Sequence, residues 1–157
     1  MANKMRWRYG DTNPVQLEVD ASTAVEIGDL VYQNTNLALP ASELADQGTP
    51  ALNQEMFHDA FAGVAMQCSP AGEAGPVRVA TTGVFEFDCD AATFEVGDLI
   101  AVAENAAGDA LEDQKVIATG SEPTAIGRCV RRAPNAVSTV LVDVVSTLVK
   151  GGVQAAA

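Results

Sequence analysis

Histidine, aromatic residues and basic side chains are all scarce in this chain of 157 residues. His58 is the single histidine, aromatic residues make up 5% of the chain, and 9 basic residues face 21 acidic ones. Because the resulting formal net charge is −12, the body of the protein repels phosphate backbones and anionic lipid headgroups. Neither a nucleic acid nor a membrane surface is therefore an expected partner.

Cysteine is also rare, and its spacing suits no cross-linked or metal-bound fold. Cys68, Cys89 and Cys129 are an odd number at wide intervals, which fits neither a disulfide framework nor a zinc motif and favours a reducing cytosol. Cys68 and Cys129 fall in apolar strand patterns and are predicted to be buried. Cys89 lies between Asp88 and Asp90, whose charges disfavour a reactive thiolate.

Long hydrophobic runs are missing as well. No apolar stretch near the start has the form of a secretory signal. The most apolar late segment, residues 137–149, contains five polar residues and is too short to span a bilayer. Apolar residues still make up 48% of the chain, which at this length is enough for one domain with a core of aliphatic side chains.

The chain contains an internal repeat of one sequence pattern. Residues 25–31 read Val-Glu-Ile-Gly-Asp-Leu-Val, and residues 94–100 read Phe-Glu-Val-Gly-Asp-Leu-Ile. The segments that follow also correspond, which gives pseudo-repeats of about 25–84 and 94–149. The recurring features are turn residues and alternating apolar residues, and no reactive side chain recurs. A duplicated scaffold of this kind favours a structural or binding protein over an enzyme.

Each copy contains a Gly-Asp pair between apolar residues, Gly28-Asp29 in the first and Gly97-Asp98 in the second. Glycine tolerates a backbone with positive φ, and aspartate bonds neighbouring backbone amides. These four residues are therefore predicted to form structural turns.

The distribution of strand and turn residues predicts an all-β fold. Residues 15–19 alternate apolar and polar side chains, as a half-buried strand does. Further strands are predicted at 61–68, 77–87, 116–119, 125–132 and 137–149. Short strands bounded by Gly, Pro and Asn indicate either an antiparallel β-sandwich or a partly closed β-barrel, built from the two pseudo-repeats.

One short helix is predicted in an insertion, residues 40–60, that only the first copy carries. Thr49 suits an N-cap and Pro50 the first helical position, so the helix is expected over residues 50–59. Its apolar residues recur every four positions and are expected to pack on the β domain: Leu52, Met56 and Ala60. The second copy has a plain turn at residues 105–109 instead.

No catalytic residue, metal site or cofactor is expected. His58 and Ser69 are the components of a conceivable hydrolase triad, but the Gly-x-Ser-x-Gly turn that exposes such a serine is missing. An acidic group surrounds Cys89 but lacks the spacing of a calcium loop, so it indicates a solvated strand end: Glu86, Asp88, Asp90 and Asp98.

The ends of the chain differ in character from the β domain at 15–149. Residues 1–14 predict an extended arm, and residues 150–157 a flexible tail. Within the arm, cations alternate with large aromatic residues, which are types enriched at interface hot spots: Arg6, Trp7, Arg8 and Tyr9. These residues are the predicted partner-binding segment, with an unattached tail as the alternative.

A second basic group, Arg128, Arg131 and Arg132, stands out on an otherwise acidic body. These arginines have two possible roles. They pair with the surplus carboxylates of their own chain, where exposed pairs add little stability, or they contact a neighbouring subunit.

Taken together, the chain resembles the capsid decoration (cement) proteins of tailed phages. The resemblance is carried by residues 6–14, 25–32, 57–66, 83–87 and 94–99. It implies a homotrimer, assembled in the host cytoplasm, that binds the outer surface of the virion and clamps neighbouring major capsid protein subunits. It implies no catalytic residues, and it implies that the segment from Arg6 to Tyr9 reaches capsid protein or an adjacent protomer.

The alternative to this role is a β-rich ligand- or receptor-binding module, such as the base of a head fibre. A carbohydrate-binding module of that kind needs an exposed aromatic platform. Beyond the arm, Tyr32 is the only tyrosine or tryptophan in the chain.

Overall fold

The structure is a computed structural model and describes residues 5–155. The first four residues of the predicted arm and the last two of the predicted tail lie outside this range. The strands are β1 (Trp7–Tyr9), β2 (Val15–Val19), β3 (Leu30–Asn34), β4 (Leu37–Pro40), β5 (Phe61–Ala65), β6 (Gly75–Ala80), β7 (Thr82–Phe94), β8 (Leu99–Glu104), β9 (Leu111–Ala118), β10 (Gly127–Cys129) and β11 (Ala133–Val145). The α-helices are α1 (Pro50–Asp59) and α2 (Thr147–Lys150), and two short 3-10 helices cover Ala41–Glu43 and Glu122–Thr124.

The strands of the described part of the chain form two closed barrels with the same topology. The first barrel has the order β2-β4-β3-β5-β6, and the second has the order β7-β9-β8-β10-β11. Each is closed by an antiparallel pair, β2 with β6 and β7 with β11. Each also contains one parallel pair, β2 with β4 and β7 with β9. The predicted all-β class is confirmed, and the structure decides between its two alternatives in favour of barrels.

The boundary between the barrels falls inside a segment that was predicted as one strand, residues 77–87. This prediction is wrong, because the chain leaves β6 at Ala80 and begins β7 at Thr82. The Thr81 amide donates to the Thr12 carbonyl oxygen at 2.9 Å and its hydroxyl donates to Asn13 O at 2.7 Å. Thr81 thus bonds the segment before β2, and the chain passes from one barrel to the next. Each barrel begins before its copy of the Gly-Asp pattern, because its first strand is β2 in the first barrel and β7 in the second.

The last predicted strand, residues 137–149, is also too long at its end. Strand β11 begins earlier, at Ala133, and stops at Val145. Ser146 then caps the short helix α2 by accepting a hydrogen bond from the Val149 amide at 3.2 Å. A serine that bonds the backbone locally competes with strand pairing, and here it ends the strand.

Helix α1 is confirmed over residues 50–59. Thr49 has the extended backbone of an N-cap, and its hydroxyl oxygen accepts a hydrogen bond from the Leu52 amide at 3.2 Å. Proline occupies the first helical position, where its missing amide proton is not needed. No helix in residues 5–155 has the length and apolar character that crossing a membrane requires.

The face by which α1 packs differs from the predicted one. Leu52 and Met56, two of the three residues expected to pack, are 49% and 46% exposed. The buried residues of the helix are Asn53 and Phe57. The rings of Phe57 and Tyr32 pack edge-on, with their centroids 5.7 Å apart. An aromatic ring offers more apolar area than leucine or methionine, so Phe57 determines which side of the helix faces inward.

The core joins the two barrels into one body. One cluster fills the first barrel and consists mainly of valines and alanines. The larger cluster fills the second barrel and continues into the space between the barrels, where Tyr32, Phe57 and Phe61 pack on it. Cys89 and Cys129 are buried, whereas Cys68 is exposed, contrary to the prediction, because β5 ends at Ala65.

Candidate partner-binding surface

The described part of the predicted arm is not a free tail, because part of it forms strand β1 on the second barrel. Trp7 pairs with Phe85 and Tyr9 with Val84, both on β7. Strand β1 stands at the end of the sheet order, and all three of its residues are exposed. Trp7 is 42% and Tyr9 53% exposed, so the sheet holds two large rings at its surface.

The turn after β1 fixes this strand from its other end. Gly10 adopts a φ of 88°, and its carbonyl oxygen accepts a hydrogen bond from the Trp7 indole nitrogen at 3.0 Å. Asn13 Nδ2 donates to the Thr82 hydroxyl oxygen at 2.9 Å, and that hydroxyl donates to Asp11 O at 2.7 Å. The segment is therefore anchored where the two barrels meet.

Arg6 differs from the three residues that follow it, because its side chain is 1% exposed. Two guanidinium nitrogens, Nη1 and Nη2, donate to the two carboxylate oxygens of Asp88 at 3.2 and 3.1 Å, and Nε donates to Gln114 Oε1 at 3.1 Å. A paired, bidentate contact of this type is the arrangement in which a buried arginine is stable. Arg6 was predicted as a partner-binding residue, but the structure places it inside the protein.

Gln114 continues this polar chain into the first barrel. Its amide nitrogen donates to Asp29 Oδ1 at 2.9 Å and to the Ile27 carbonyl oxygen at 3.3 Å. The other carboxylate oxygen of Asp29 accepts from the Glu26 amide at 2.8 Å. Arg6, Gln114 and Asp29 therefore tie the arm, the second barrel and a turn of the first barrel together. Gln114 carries no sequence signal of this role.

The two Gly-Asp turns have the same local geometry. Gly28 and Gly97 adopt φ values of 93° and 97°. Asp98 Oδ2 accepts from the Glu95 amide at 2.8 Å, which repeats the bond between Asp29 and Glu26. Their surroundings differ, since Asp29 is 3% exposed and faces the second barrel.

Burial raises the pKa of Asp29 to about 6. The hydrogen bonds from Gln114 and the Glu26 amide oppose the shift, while the nearby carboxylates of Asp113 and Glu26 add to it. The raised pKa means that the folded protein binds a proton at Asp29 more tightly than the unfolded chain does.

This shift predicts a pH dependence of stability. An unfolded aspartate loses its proton near pH 4, whereas Asp29 in the folded protein keeps it up to about pH 6. Between these values the folded state binds more protons, so its free energy of unfolding falls as pH rises and then levels off. In the wild type, Asp29 should lower the free energy of unfolding by on the order of 2 kcal/mol between pH 4 and pH 7, and we expect this contribution to be absent in Asp29→Asn.

The measurement is urea unfolding of both proteins across that pH range. The difference between the two curves isolates Asp29 from the other carboxylates. Parallel curves would contradict the prediction.

The three arginines of the second basic group differ in their bonding partners. Arg132 Nε lies 2.8 Å from Glu95 Oε2 in an exposed ion pair. Arg128 donates to the Gly97 and Gln154 carbonyl oxygens at 2.8 and 3.0 Å. Arg131 is exposed, and its guanidinium makes no hydrogen bond or ion pair within residues 5–155. Two of the three arginines thus have partners in their own chain.

A surface groove lies beside this group, and one of its lining residues is bonded to the arm. Arg131 and Arg132 line it on one side, together with residues of β11, and Glu86 lines it from β7. Glu86 in turn binds Arg8 of β1, with Nη2 and Oε1 2.7 Å apart. The arm and the second basic group, which are more than a hundred residues apart in sequence, therefore meet at one surface.

The other sequence candidates have local roles. His58 Nδ1 lies 2.6 Å from the Ala125 carbonyl oxygen, where it joins α1 to the second barrel. The Ser69 hydroxyl donates to the Glu73 carbonyl oxygen at 3.4 Å. Burial raises the pKa of Cys89, and the charges of Asp88 and Asp90 raise it further. In the described range, 5–155, no group of three His, Cys, Asp or Glu side chains is placed to hold a metal ion.

The fold and surface are those of a double-barrel protein that presents an aromatic and cationic edge strand. Residues 10–144 match the model of a family described as phage cement protein. The chain belongs to this family, and the resemblance derived from the sequence is confirmed. Membership of a family of structural phage proteins supports a capsid-binding role in the virion.

Among solved structures, the chain is similar to the N base of the head fibre gp8.5 from bacteriophage phi29. The two are 16% identical, the match covers 83% of this chain and 93% of that one, and the TM-score is 0.47. No curated protein matches the chain.

Proposed function

We propose that this protein binds the outer surface of a phage capsid as a homotrimer and stabilises contacts between major capsid protein subunits. The observation that carries the proposal is the family match over residues 10–144. The trimer, the outer location and assembly in the host cytoplasm follow from the resemblance to decoration proteins. The role requires no cofactor, no catalysis, and no nucleic-acid or membrane partner.

The double-barrel body is suited to bridging subunits. Its apolar core runs from one barrel into the other, so a force applied to one barrel reaches the other without an intervening flexible linker. A rigid body attached to two capsid subunits raises the barrier to their separation. Modest contacts add up when many copies bind one particle, because each further contact on the same shell is intramolecular.

Strand β1 supports the proposed contact. We call its three residues, Trp7, Arg8 and Tyr9, the arm strip. Tryptophan, tyrosine and arginine are the residues most enriched at interface hot spots. The outer edge of β1 has no strand partner among the described residues, so its backbone can also pair with an extended segment of the capsid.

Removing both rings of the arm strip should abolish most of the binding. We expect Trp7→Ala with Tyr9→Ala to weaken binding to expanded capsid shells by roughly 30-fold or more, because the truncation of even one hot-spot residue costs about 2 kcal/mol or more. Binding is measured by co-sedimentation of purified protein with shells that lack it. The rupture temperature of the decorated shells gives a second readout.

The matched control removes two exposed apolar side chains elsewhere. Val96 and Ile117 are 66% and 47% exposed, and the variant Val96→Ala with Ile117→Ala should bind as the wild type does. Unfolding temperatures equal to that of the wild type would show that both variants keep the fold. Full shell binding by the arm-strip variant would refute its role.

A further inference from the structure

The groove beside the second basic group has a defined volume and lining. It has a volume of about 350 Å³, and we call it the arginine groove. Its charged lining residues are Glu86, Arg131 and Arg132. Its remaining lining comes from the first part of β11 and includes Val137 and Leu141.

The groove exists because β11 departs from regular pairing at this point. Its register with β7 shifts between Ala133 and Val137, and again between Val137 and Thr139. Such bulges bend a strand and leave backbone groups without a partner in the ladder. Strand β10 pairs with β11 only from Val142 to Val144. Within this stretch the Leu141 carbonyl oxygen accepts from the Val130 amide at 3.1 Å and the Val137 carbonyl oxygen accepts from Cys89 Sγ at 3.5 Å. The part of β11 before Leu141 has no second partner strand among the described residues, so its other backbone groups on this side are available to an extended ligand.

The charged residues around the groove have a net positive charge, although the protein as a whole is strongly negative. Arg8 is balanced by Glu86 at 2.7 Å and Arg132 by Glu95 at 2.8 Å. Arg131 has no ion pair in the described range, which leaves one uncompensated positive charge beside the groove. The chain as a whole carries −12, so this surface is a local exception.

We propose that the arginine groove binds an extended protein segment that carries carboxylate side chains. Guanidinium groups match carboxylates in a planar, two-point geometry, and Arg131 is free to form that contact. Val137 and Leu141 are half-buried and give apolar side chains of the same segment a surface. A phosphate backbone has the required charge but carries no apolar side chains to cover Val137 and Leu141, so an acidic protein segment fits both parts of the lining.

The proposal rests on the proposed function in one respect, which is that the acidic segment belongs to a protein of the capsid shell. In that case the arm strip and the arginine groove act as one continuous surface, because the Arg8–Glu86 pair joins them. The aromatic residues would supply apolar anchoring, and Arg131 would select segments that are acidic.

The test uses the purified full-length protein and a short peptide that alternates aspartate with valine. Backbone amide shifts are followed by NMR during titration, with a lysine–valine peptide of the same length as the comparison. We expect shifts at residues 131–141 and at Glu86 with the acidic peptide only. Arg131→Glu should weaken this binding by about tenfold or more, and Arg78→Glu, the same charge change at an exposed site on the first barrel, should not.

Equal responses to the two peptides, shifts elsewhere, no shifts, or unchanged binding by Arg131→Glu would each overturn the proposal. The same two variants are then mixed with expanded capsid shells. Shell binding that survives Arg131→Glu would also count against the groove. Failure of the wild type to bind shells, with the peptide result as expected, would count against the proposed function alone.

Discussion

Replacing Gly63 by alanine is expected to destabilise the protein by at least about 4 kcal/mol, beyond the range of ordinary substitutions. Gly63 lies in β5 with a φ of 148°, which side-chain-bearing residues rarely adopt. A Cβ at this position would overlap the backbone carbonyl of Ala80 on β6. Since that carbonyl belongs to the strand closing the barrel, neither partner can move without breaking the closure.

Gly127 occupies the corresponding position in the second barrel. It lies in β10, and an added Cβ would overlap the Asp143 carbonyl oxygen on β11. Its φ is not in the left-handed region, so only the steric cost applies, and we expect Gly127→Ala to lose roughly 2 kcal/mol or more. The repeat thus uses glycine for the same purpose in both barrels, which is a close approach of two strands.

Urea unfolding of the purified variants measures both effects. Gly75→Ala is the matched control, because Gly75 also lies in a strand and a Cβ there meets nothing within 4 Å. Its free energy of unfolding should stay within about 0.5 kcal/mol of the wild type. A Gly63→Ala protein as stable as Gly75→Ala would show that the barrel can open at this contact without loss.

The second large effect is expected at Arg6. Arg6→Met keeps an unbranched, apolar side chain but removes the guanidinium group that Asp88 and Gln114 bind. Breaking one partner of a buried ion pair costs about 3–5 kcal/mol, and because Asp88 is 34% exposed we expect the lower end of that range. Arg8→Met, which breaks the exposed pair with Glu86, should cost less than about 1 kcal/mol.

Urea unfolding of the two variants under the same conditions makes this comparison. Equal losses for Arg6→Met and Arg8→Met would contradict the structural role assigned to Arg6. The burial of Arg6 also decides how the docking function is tested. Truncating the first nine residues would remove Arg6 together with the arm strip, so a loss of binding would combine instability with lost contacts. Substitutions at Trp7 and Tyr9 avoid that combination.

Much of the fold was readable from local sequence. Helix α1 was predicted with its bounds, because Thr49 and Pro50 define a helix start through bonds within one turn. Strand β2 was predicted over residues 15–19 because alternation is a property of consecutive residues. The strand ends were less accurate at Thr81 and Ser146, where a hydroxyl side chain forms bonds that end a strand.

The candidate site was only partly readable. The sequence pointed to Trp7, Arg8 and Tyr9 through residue type alone, and the structure leaves these side chains exposed. It gave Arg6 the same role, because residue type alone does not distinguish Arg6, which is buried on Asp88, from Arg8, which is exposed. Gln114 was missed, because an isolated glutamine in a strand carries no pattern.

The sequence by itself determined the composition of the core, the all-β class, the doubled pattern and the helix, since each depends on the types and spacing of residues close together in the chain. Only the tertiary structure decided that the strands close into two barrels, that Arg6 is buried on Asp88, and that Arg131 lies at a groove with Glu86, the ion-pair partner of Arg8. These features depend on contacts between residues tens to over a hundred positions apart. No local pattern specifies such contacts, because they are set by how the strands pair and where β11 bends.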